Sequence, residues 1–292
     1  GLTLVETVLL YLFGMSLFDA VTHAFGTVAT GGFSTKNDSI GHFNSLAIEI
    51  VVIVFMFLSG MHFGVLYNIF TFKRVKWYKS SVLKFYFFSI LVGVLLITIS
   101  VKGTNYQTWG ESLRFSAFQL VSLASTTGFA TADTTLWPPF SIMILLYFLF
   151  QCACAGSTAG GIKVDRMVIF FKSMRRQVKK LQHPQAVIPL RIDGNPIDEE
   201  TVHSVLLFIV LYILILFVNG LLITTMGVDI MTAFSASAAT ISTAGPGFGV
   251  VGSESNFASI PDLGKLLLTF NMLLGRLEIF GLMLIFFVRS WR

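Results

Sequence analysis

The sequence predicts an all-α polytopic membrane protein built from repeated units of helix, short re-entrant helix, turn and helix. Three observations carry that prediction. Of the 292 residues 54% are hydrophobic, 12% are charged, and 30 are Phe, a composition suited to lipid as solvent rather than water. Several apolar stretches reach the roughly 20 residues that cross a bilayer. A small tetrapeptide, (Ala/Ser)-Thr-x-Gly, recurs as Ala29-Thr30-Gly31-Gly32, Ser125-Thr126-Thr127-Gly128 and Ser242-Thr243-Ala244-Gly245, each between a short apolar stretch and a long one.

Full spans are read near 46–70, 82–101, 202–226 and 265–288, with residues 2–17 as the end of another and an interrupted span over 138–174. The stretches 18–28, 112–124 and 230–241 are too short to cross. They read as re-entrant helices, since irregular backbone at membrane depth survives only against protein or a water-filled cavity. Their C-termini would then point a partial negative charge at each turn. Amphipathic surface helices are the alternative, and threefold repetition argues for a repeated unit instead.

Basic residues set the orientation. Lys73, Arg74, Lys76, Lys79 and Lys84 form one cluster, and Lys172, Arg175, Arg176, Lys179, Lys180 and Arg191 another; the tail carries Arg289 and Arg292. The positive-inside rule makes these segments cytoplasmic and places all three turns outside. The outer loops hold Asp38, Asp133, Glu254 and Asp262 against Lys36 and Lys265, a mild negative excess that would weakly concentrate cations.

The turns suit a dehydrated monovalent cation, which needs a cage of oxygens in place of water. Backbone carbonyls supply such a cage, glycine permits the unusual turn that aims them inward, and a Thr hydroxyl can add an oxygen or tie the loop down. The candidate ion-binding residues are Thr30, Gly31 and Gly32; Thr126, Thr127 and Gly128; and Thr243, Ala244 and Gly245. Bound metal is expected at these positions only.

The interrupted span contains Cys152-Ala153-Cys154-Ala155-Gly156-Ser157-Thr158-Ala159-Gly160-Gly161 between apolar helices at 140–151 and 162–174. Each glycine costs about 1 kcal/mol against alanine in a helix, so three of them with Ser and Thr should unwind it. Such a loop could hang across a permeation path; Gly156 and Gly160 also fit the small-residue spacing of close helix packing. Arg276 lies near the middle of the last span, where a charge costs at least about 2.5 kcal/mol without water or a partner. It is expected either to face the pore and hydrogen-bond carbonyls of the 155–161 loop, or to pair with Glu49, Asp165 or Glu278. Lys163, at the far end of the loop, could add to the barrier or snorkel outward.

Other features point away from chemistry. Cys152 and Cys154 lack further ligands nearby in sequence, and His23, His42, His62, His183 and His203 show no metalloenzyme spacing. His23 reads as a packed or pore-wall group. No phosphate-binding or nucleophile motif occurs, so an enzyme is not expected, and the net charge of +5 comes from loops rather than a nucleic-acid surface.

Phe18-Asp19-Ala20-Val21-Thr22-His23-Ala24-Phe25 leading into Ala29-Thr30-Gly31-Gly32-Phe33-Ser34-Thr35, then Ser125-Thr126-Thr127-Gly128-Phe129, and Ser242-Thr243-Ala244-Gly245-Pro246-Gly247-Phe248-Gly249 resemble the filters of the Trk/Ktr/HKT potassium-transport superfamily. The likeness is greatest to its bacterial Trk membrane subunits and spans nearly the whole chain. It implies four M1-P-M2 repeats arranged pseudo-fourfold, a homodimer in the bacterial inner membrane, and regulation by a cytoplasmic nucleotide-binding ring resembling TrkA. It also implies that the Gly-rich loop (Gly156, Ser157, Thr158, Gly160, Gly161, Lys163) and Arg276 act as a gate. Three filters are present, so the expectation is repeat 2 over 1–72 with its first helix truncated, and repeat 3 over 73–177 with an intramembrane loop at 152–162. A cytoplasmic connector follows over 178–200 and repeat 4 over 201–292; repeat 1 is absent. No cofactor is expected beyond K⁺ as bound and transported ion, with Rb⁺ tolerated and selectivity weaker than in a TVGYG filter. A secondary transporter coupled to H⁺ or Na⁺, with a broken-helix site, is the alternative.

Overall fold

The computed structural model describes residues 1–71, 80–277, 279 and 281. The basic run from Lys73 to Lys79, Glu278, the tail arginines and the end of the last expected span lie outside the described residues.

Each unit begins with a helix, turns through a short capped helix, and returns along a third. In the first, α1 (Leu2–Leu12) packs on α2 (Leu17–Val28), and α3 (Leu46–Ser59) leads to α4 (Phe63–Phe70). In the second, α5 (Ser81–Val101) packs on α6 (Trp109–Ala124), followed by α7 (Pro139–Phe150) and α8 (Val164–Gln182). In the third, α10 (Ile230–Ile241) lies between α9 (Glu199–Thr224) and α11 (Asp262–Arg276). The short helices α2, α6 and α10 start alike: the side chains of Ser16, Thr108 and Asp229 accept from the amide three residues on, at Asp19, Glu111 and Thr232. N-caps of this kind satisfy a helix donor that would otherwise lie unpaired at membrane depth.

Solvent preference is inverted, as lipid requires. Helix α5 has 21 residues and α9 has 26, which at about 1.5 Å per residue are long enough to cross a bilayer. Both leave large apolar side chains exposed, among them Phe88 and Leu95 on α5 and Val210, Leu214 and Phe217 on α9. Their glycines turn inward: Gly93 on α5 abuts Leu120 and Phe148, and Gly220 on α9 abuts Phe234.

Several boundaries differ from the sequence expectation, each for a tertiary reason. The span 46–70 is not continuous. It stops at Ser59 and resumes at Phe63 because the 151–163 loop takes its backbone groups: Cys154 N–H donates to the Gly60 carbonyl (3.0 Å) and Phe63 N–H to the Gly156 carbonyl (3.1 Å). After the loop, helix resumes at Val164 rather than 162. The loop's two limbs bond each other there, Cys152 N–H to Ile162 (3.0 Å) and Val164 N–H to Ala153 (3.0 Å). Helix α8 runs on to Gln182, beyond the expected connector boundary at 178, and α9 begins at Glu199, before 201, with Asp198 as its cap. Between them the chain is not purely helical. β1 (Arg191–Ile192) and β2 (Asn195–Pro196) form a short antiparallel ribbon whose two-residue turn, Asp193 and Gly194, has positive φ at both positions. Asp193 in turn accepts from Ser81 N–H at the start of α5 (2.7 Å). Arg176 on α8 grips Glu199 with two hydrogen bonds (2.5 and 3.0 Å).

One ion pair joins the first two units. Arg114 on α6 donates from Nε to Glu49 Oε2 (2.6 Å) and from Nη2 to Oε1 (2.7 Å), with the Glu49 side chain 3% exposed. Removing one partner of a buried pair strands the other charge and costs about 3–5 kcal/mol, whereas removing both costs far less. Glu49→Leu or Arg114→Leu alone should therefore lower the melting temperature of detergent-solubilised protein sharply, and the double variant should recover much of the loss. Additive losses in the cycle would show that the pair is not coupled.

Candidate ion-conduction site

The three tetrapeptides adopt one backbone conformation. Thr30, Thr126 and Thr243 have φ of 52°, 58° and 58°, and Gly32, Gly128 and Gly245 have φ of 65°, 84° and 93°. Two left-handed residues separated by one place are an unusual sequence for L-amino acids. Glycine meets the second at little cost, and a threonine held at the first stores strain of roughly 1–3 kcal/mol that its surroundings must offset. Part of the offset is an identical set of hydrogen bonds. The amides of Gly31 and Gly32 both donate to Gly26 (2.8 and 3.3 Å). Those of Thr127 and Gly128 donate to Ser122 (2.9 and 3.4 Å), and those of Ala244 and Gly245 to Ala239 (3.0 and 3.5 Å).

With the amides turned back onto the short helices, the carbonyls are left over. Among the described residues no donor is bonded to the carbonyl oxygens of Thr30, Gly31, Thr126, Thr127, Thr243 or Ala244. A cavity of about 210 Å³ is lined by Gly31 and Gly32, Thr127 and Gly128, and Ala244 and Gly245, so the three turns converge on one space. Helices α2, α6 and α10 all end at it, adding the partial negative charge of their C-termini. The turns abut in order. A Cβ on Gly32 would lie 1.9 Å from the Thr127 carbonyl oxygen, and one on Gly128 would lie 2.2 Å from that of Ala244. Beside Gly245 the described residues leave open space.

Beneath the turns, the 151–163 loop touches all three. Thr158 Oγ1 donates to the Val28 carbonyl at the end of α2 (3.1 Å), and Gly160 N–H donates to Thr126 Oγ1 (3.2 Å). Gly160 also sits so close to the third turn that a Cβ there would lie 2.2 Å from Thr243 Oγ1 and 2.7 Å from the Ser242 carbonyl. Gly156 (φ 74°) presses on the His62 ring, Gly161 (φ 65°) on Cys152 and Ser242, and Ser157 Oγ closes the loop onto Cys154 (2.7 Å). Arg276 Nη1 donates to the Thr158 carbonyl at 2.6 Å. Of its other expected partners, Glu49 holds Arg114 and Asp165 accepts from Ala155 N–H (2.6 Å), while Glu278 lies outside the described residues. Lys163 stands directly before α8. Cys152 and Cys154 are buried free thiols, and no cluster of three metal-ligating side chains occurs among the described residues.

On the far side of the turns, Ser253 Oγ donates to Ala132 (2.9 Å) and accepts from Thr134 N–H (3.1 Å), tying the loops of the second and third units together. Glu254 is placed near Asp133 and Asp38; burial and these two charges push its carboxyl above the usual range. A wider pocket of about 360 Å³ between Arg166, Asp198 and Phe208 holds none of the turn residues.

Residues 2–290 match the family model TrkH, described as a cation transport protein. The chain belongs to the TrkH family. It is 36% identical over its whole length to the Trk system potassium uptake protein TrkH of Salmonella typhimurium, covering 60% of that protein. It is 35% identical to TrkG of Escherichia coli K12, with 96% of this chain and 58% of that protein aligned. The crystal structure of the potassium transporter TrkH from Vibrio parahaemolyticus superposes on all of this chain and 63% of its own, with a TM-score of 0.92 and 34% identity. The chain thus spans about 60% of the length of the curated relatives it matches. As a TrkH-family chain it is a multi-pass helical membrane protein of a transport family, not of an enzyme family.

Two features of the site escape the sequence reading. The left-handed threonines are one, since propensity alone puts such φ values on glycine. The other is the ion pair that removes Glu49 from Arg276's reach; the signal was there, because Arg114 is a second charge inside an apolar stretch and needs a partner.

Proposed function

We propose that this chain forms the filter and gate of a potassium uptake pore. K⁺, and Rb⁺ with it, passes through the backbone carbonyls of the three Thr-x-Gly turns, and the 151–163 loop with Arg276 controls passage from below. The observation that carries this reading is that three turns whose carbonyls have no donor among the described residues line one cavity, with one loop set against them: it bonds the Val28 carbonyl before the first and the Thr126 hydroxyl of the second, and packs on the third. The relatives named for potassium uptake support the choice of ion. A fourth matching turn, set against the open flank of Gly245, would close the ring. The further expectations are a homodimer in the bacterial inner membrane, turns outside and basic loops inside, with a TrkA-like nucleotide-binding partner on the basic side.

A second reading, transport coupled to H⁺ or Na⁺, draws on one residue. Glu6 on α1 is fully buried, and neither of its carboxylate oxygens has a hydrogen-bond partner among the described residues. Proton- or sodium-coupled transporters use intramembrane acids of this kind. The two readings separate in liposomes carrying the complete natural polypeptide. A pore moves K⁺ and Rb⁺ in preference to Na⁺ and Li⁺ down their own gradients, with Glu6→Gln passing K⁺ as before. Flux that requires a second ion gradient and disappears in Glu6→Gln would replace the pore with a coupled transporter.

A further inference from the structure

The chain leaving each turn is held to its short helix by different side chains at related positions. Seven residues before the turn threonines stand His23, Gln119 and Ala236. Gln119 Nε2 donates to the Ala132 carbonyl (2.7 Å), beyond the second turn. Ala236 has no polar group, and its neighbour Ser235 serves instead, donating to the Phe248 carbonyl and accepting from Phe248 N–H, both at 2.9 Å. In the first turn His23 Nε2 lies 2.9 Å from Ser34 Oγ and Nδ1 lies 2.7 Å from the Asp19 carbonyl.

The partners settle the tautomer. A carbonyl only accepts, so Nδ1 carries the proton and Nε2 receives the Ser34 hydroxyl; Ser34 Oγ then accepts from Lys36 N–H (3.0 Å). The His23 ring is fully buried, edge-on to Phe43 (5.5 Å) and tilted against Phe129 (5.6 Å). Phe129 directly follows Gly128. One imidazole therefore braces the first turn by a hydrogen bond and the second by packing. Replacing it with hydrocarbon would leave the buried clasp to Ser34 unmade.

We propose that His23 is a positioning residue for cation selectivity, holding the outgoing limb of the first turn in register with the second. This rests on the reading of the turns as a potassium filter. Both the size of a carbonyl cage and the number of dipoles facing the ion depend on where the turns sit, and His23 touches two of the adjoining walls. Asp19 supplies a separate tie to the same limb, accepting from Thr35 Oγ1 (2.5 Å) through its own carboxylate.

The test is the K⁺/Na⁺ permeability ratio of the complete polypeptide in liposomes, with monodisperse elution as the check on folding. His23→Leu should lower the ratio by about tenfold, the scale of one lost buried hydrogen bond. His23→Gln, which places the side chain of Gln119 at the matching position, should restore most of it. Ser34→Ala removes the clasp from the other end and should shift the ratio the same way. An unchanged ratio in folded His23→Leu, or in Ser34→Ala should His23→Leu fail to fold, overturns the proposal. Wild-type protein that passes no K⁺ in preference to Na⁺ would instead fail the filter reading, before any variant is compared.

Discussion

Gly128→Ser should lower the K⁺/Na⁺ permeability ratio at least about tenfold while the protein still inserts and folds. Gly128 has a φ of 84°, which a serine adopts only with strain, and its Cβ would lie 2.2 Å from the Ala244 carbonyl oxygen and 3.0 Å from Pro246 Cδ. The obstructing oxygen belongs to the third turn, so a single added side chain displaces carbonyls in two turns at once. Strain of about 1–3 kcal/mol plus a forced backbone shift corresponds to at least about a tenfold fall in the K⁺/Na⁺ permeability ratio. Gly110→Ser is the matched control, because Gly110 has open space where its Cβ would stand and lies in the first turn of α6, away from the filter. Wild-type selectivity in correctly folded Gly128→Ser would sink the carbonyl-filter reading.

Arg276→Ala should raise flux. Its guanidinium holds the Thr158 carbonyl at 2.6 Å, on the same loop that bonds Val28 and Thr126 from below. A hydrogen bond from a charged donor contributes about 1.5–3 kcal/mol, so its loss shifts the closed-to-open equilibrium of the loop by roughly 10- to 100-fold. On the proposed reading, the substitution also removes a positive charge from the cation path. Single-channel open probability reads the effect directly, and Arg276→Lys, which keeps the charge without the planar fork, should fall between. An unchanged open probability together with a lower melting temperature would make Arg276 a structural residue only.

The units and their turns are legible because they depend on local chemistry. Apolar length marks α5 and α9, and the small residues of Ala29–Gly32, Ser125–Gly128 and Ser242–Gly245 mark the turns. Three glycines in ten residues mark the unwound segment after α7. The cap residues Ser16, Thr108 and Asp229 carried a helix-start signal that would have placed α2, α6 and α10 more closely. What stayed hidden involves residues far apart in the chain. The break at Gly60 lies in an unremarkable apolar run, and the groups that cause it, Cys154 N–H and the Gly156 carbonyl, are more than ninety residues away. Asn271 is similar: it looks like a lone polar residue in the last span, yet it bonds Asn219 on α9 and Ser237 and Thr240 on α10.

By itself, then, the sequence determined the solvent, the recurring tetrapeptide and the places of the three turns. Each follows from the free energy of placing a side chain or a backbone group in lipid, which is a property of short segments. Only the tertiary structure decided which carbonyls are left without donors, which turn abuts which, and that one loop lies against all three. Those facts depend on donor and acceptor pairings between segments. A buried polar group must take whichever partner the packing brings within hydrogen-bond reach.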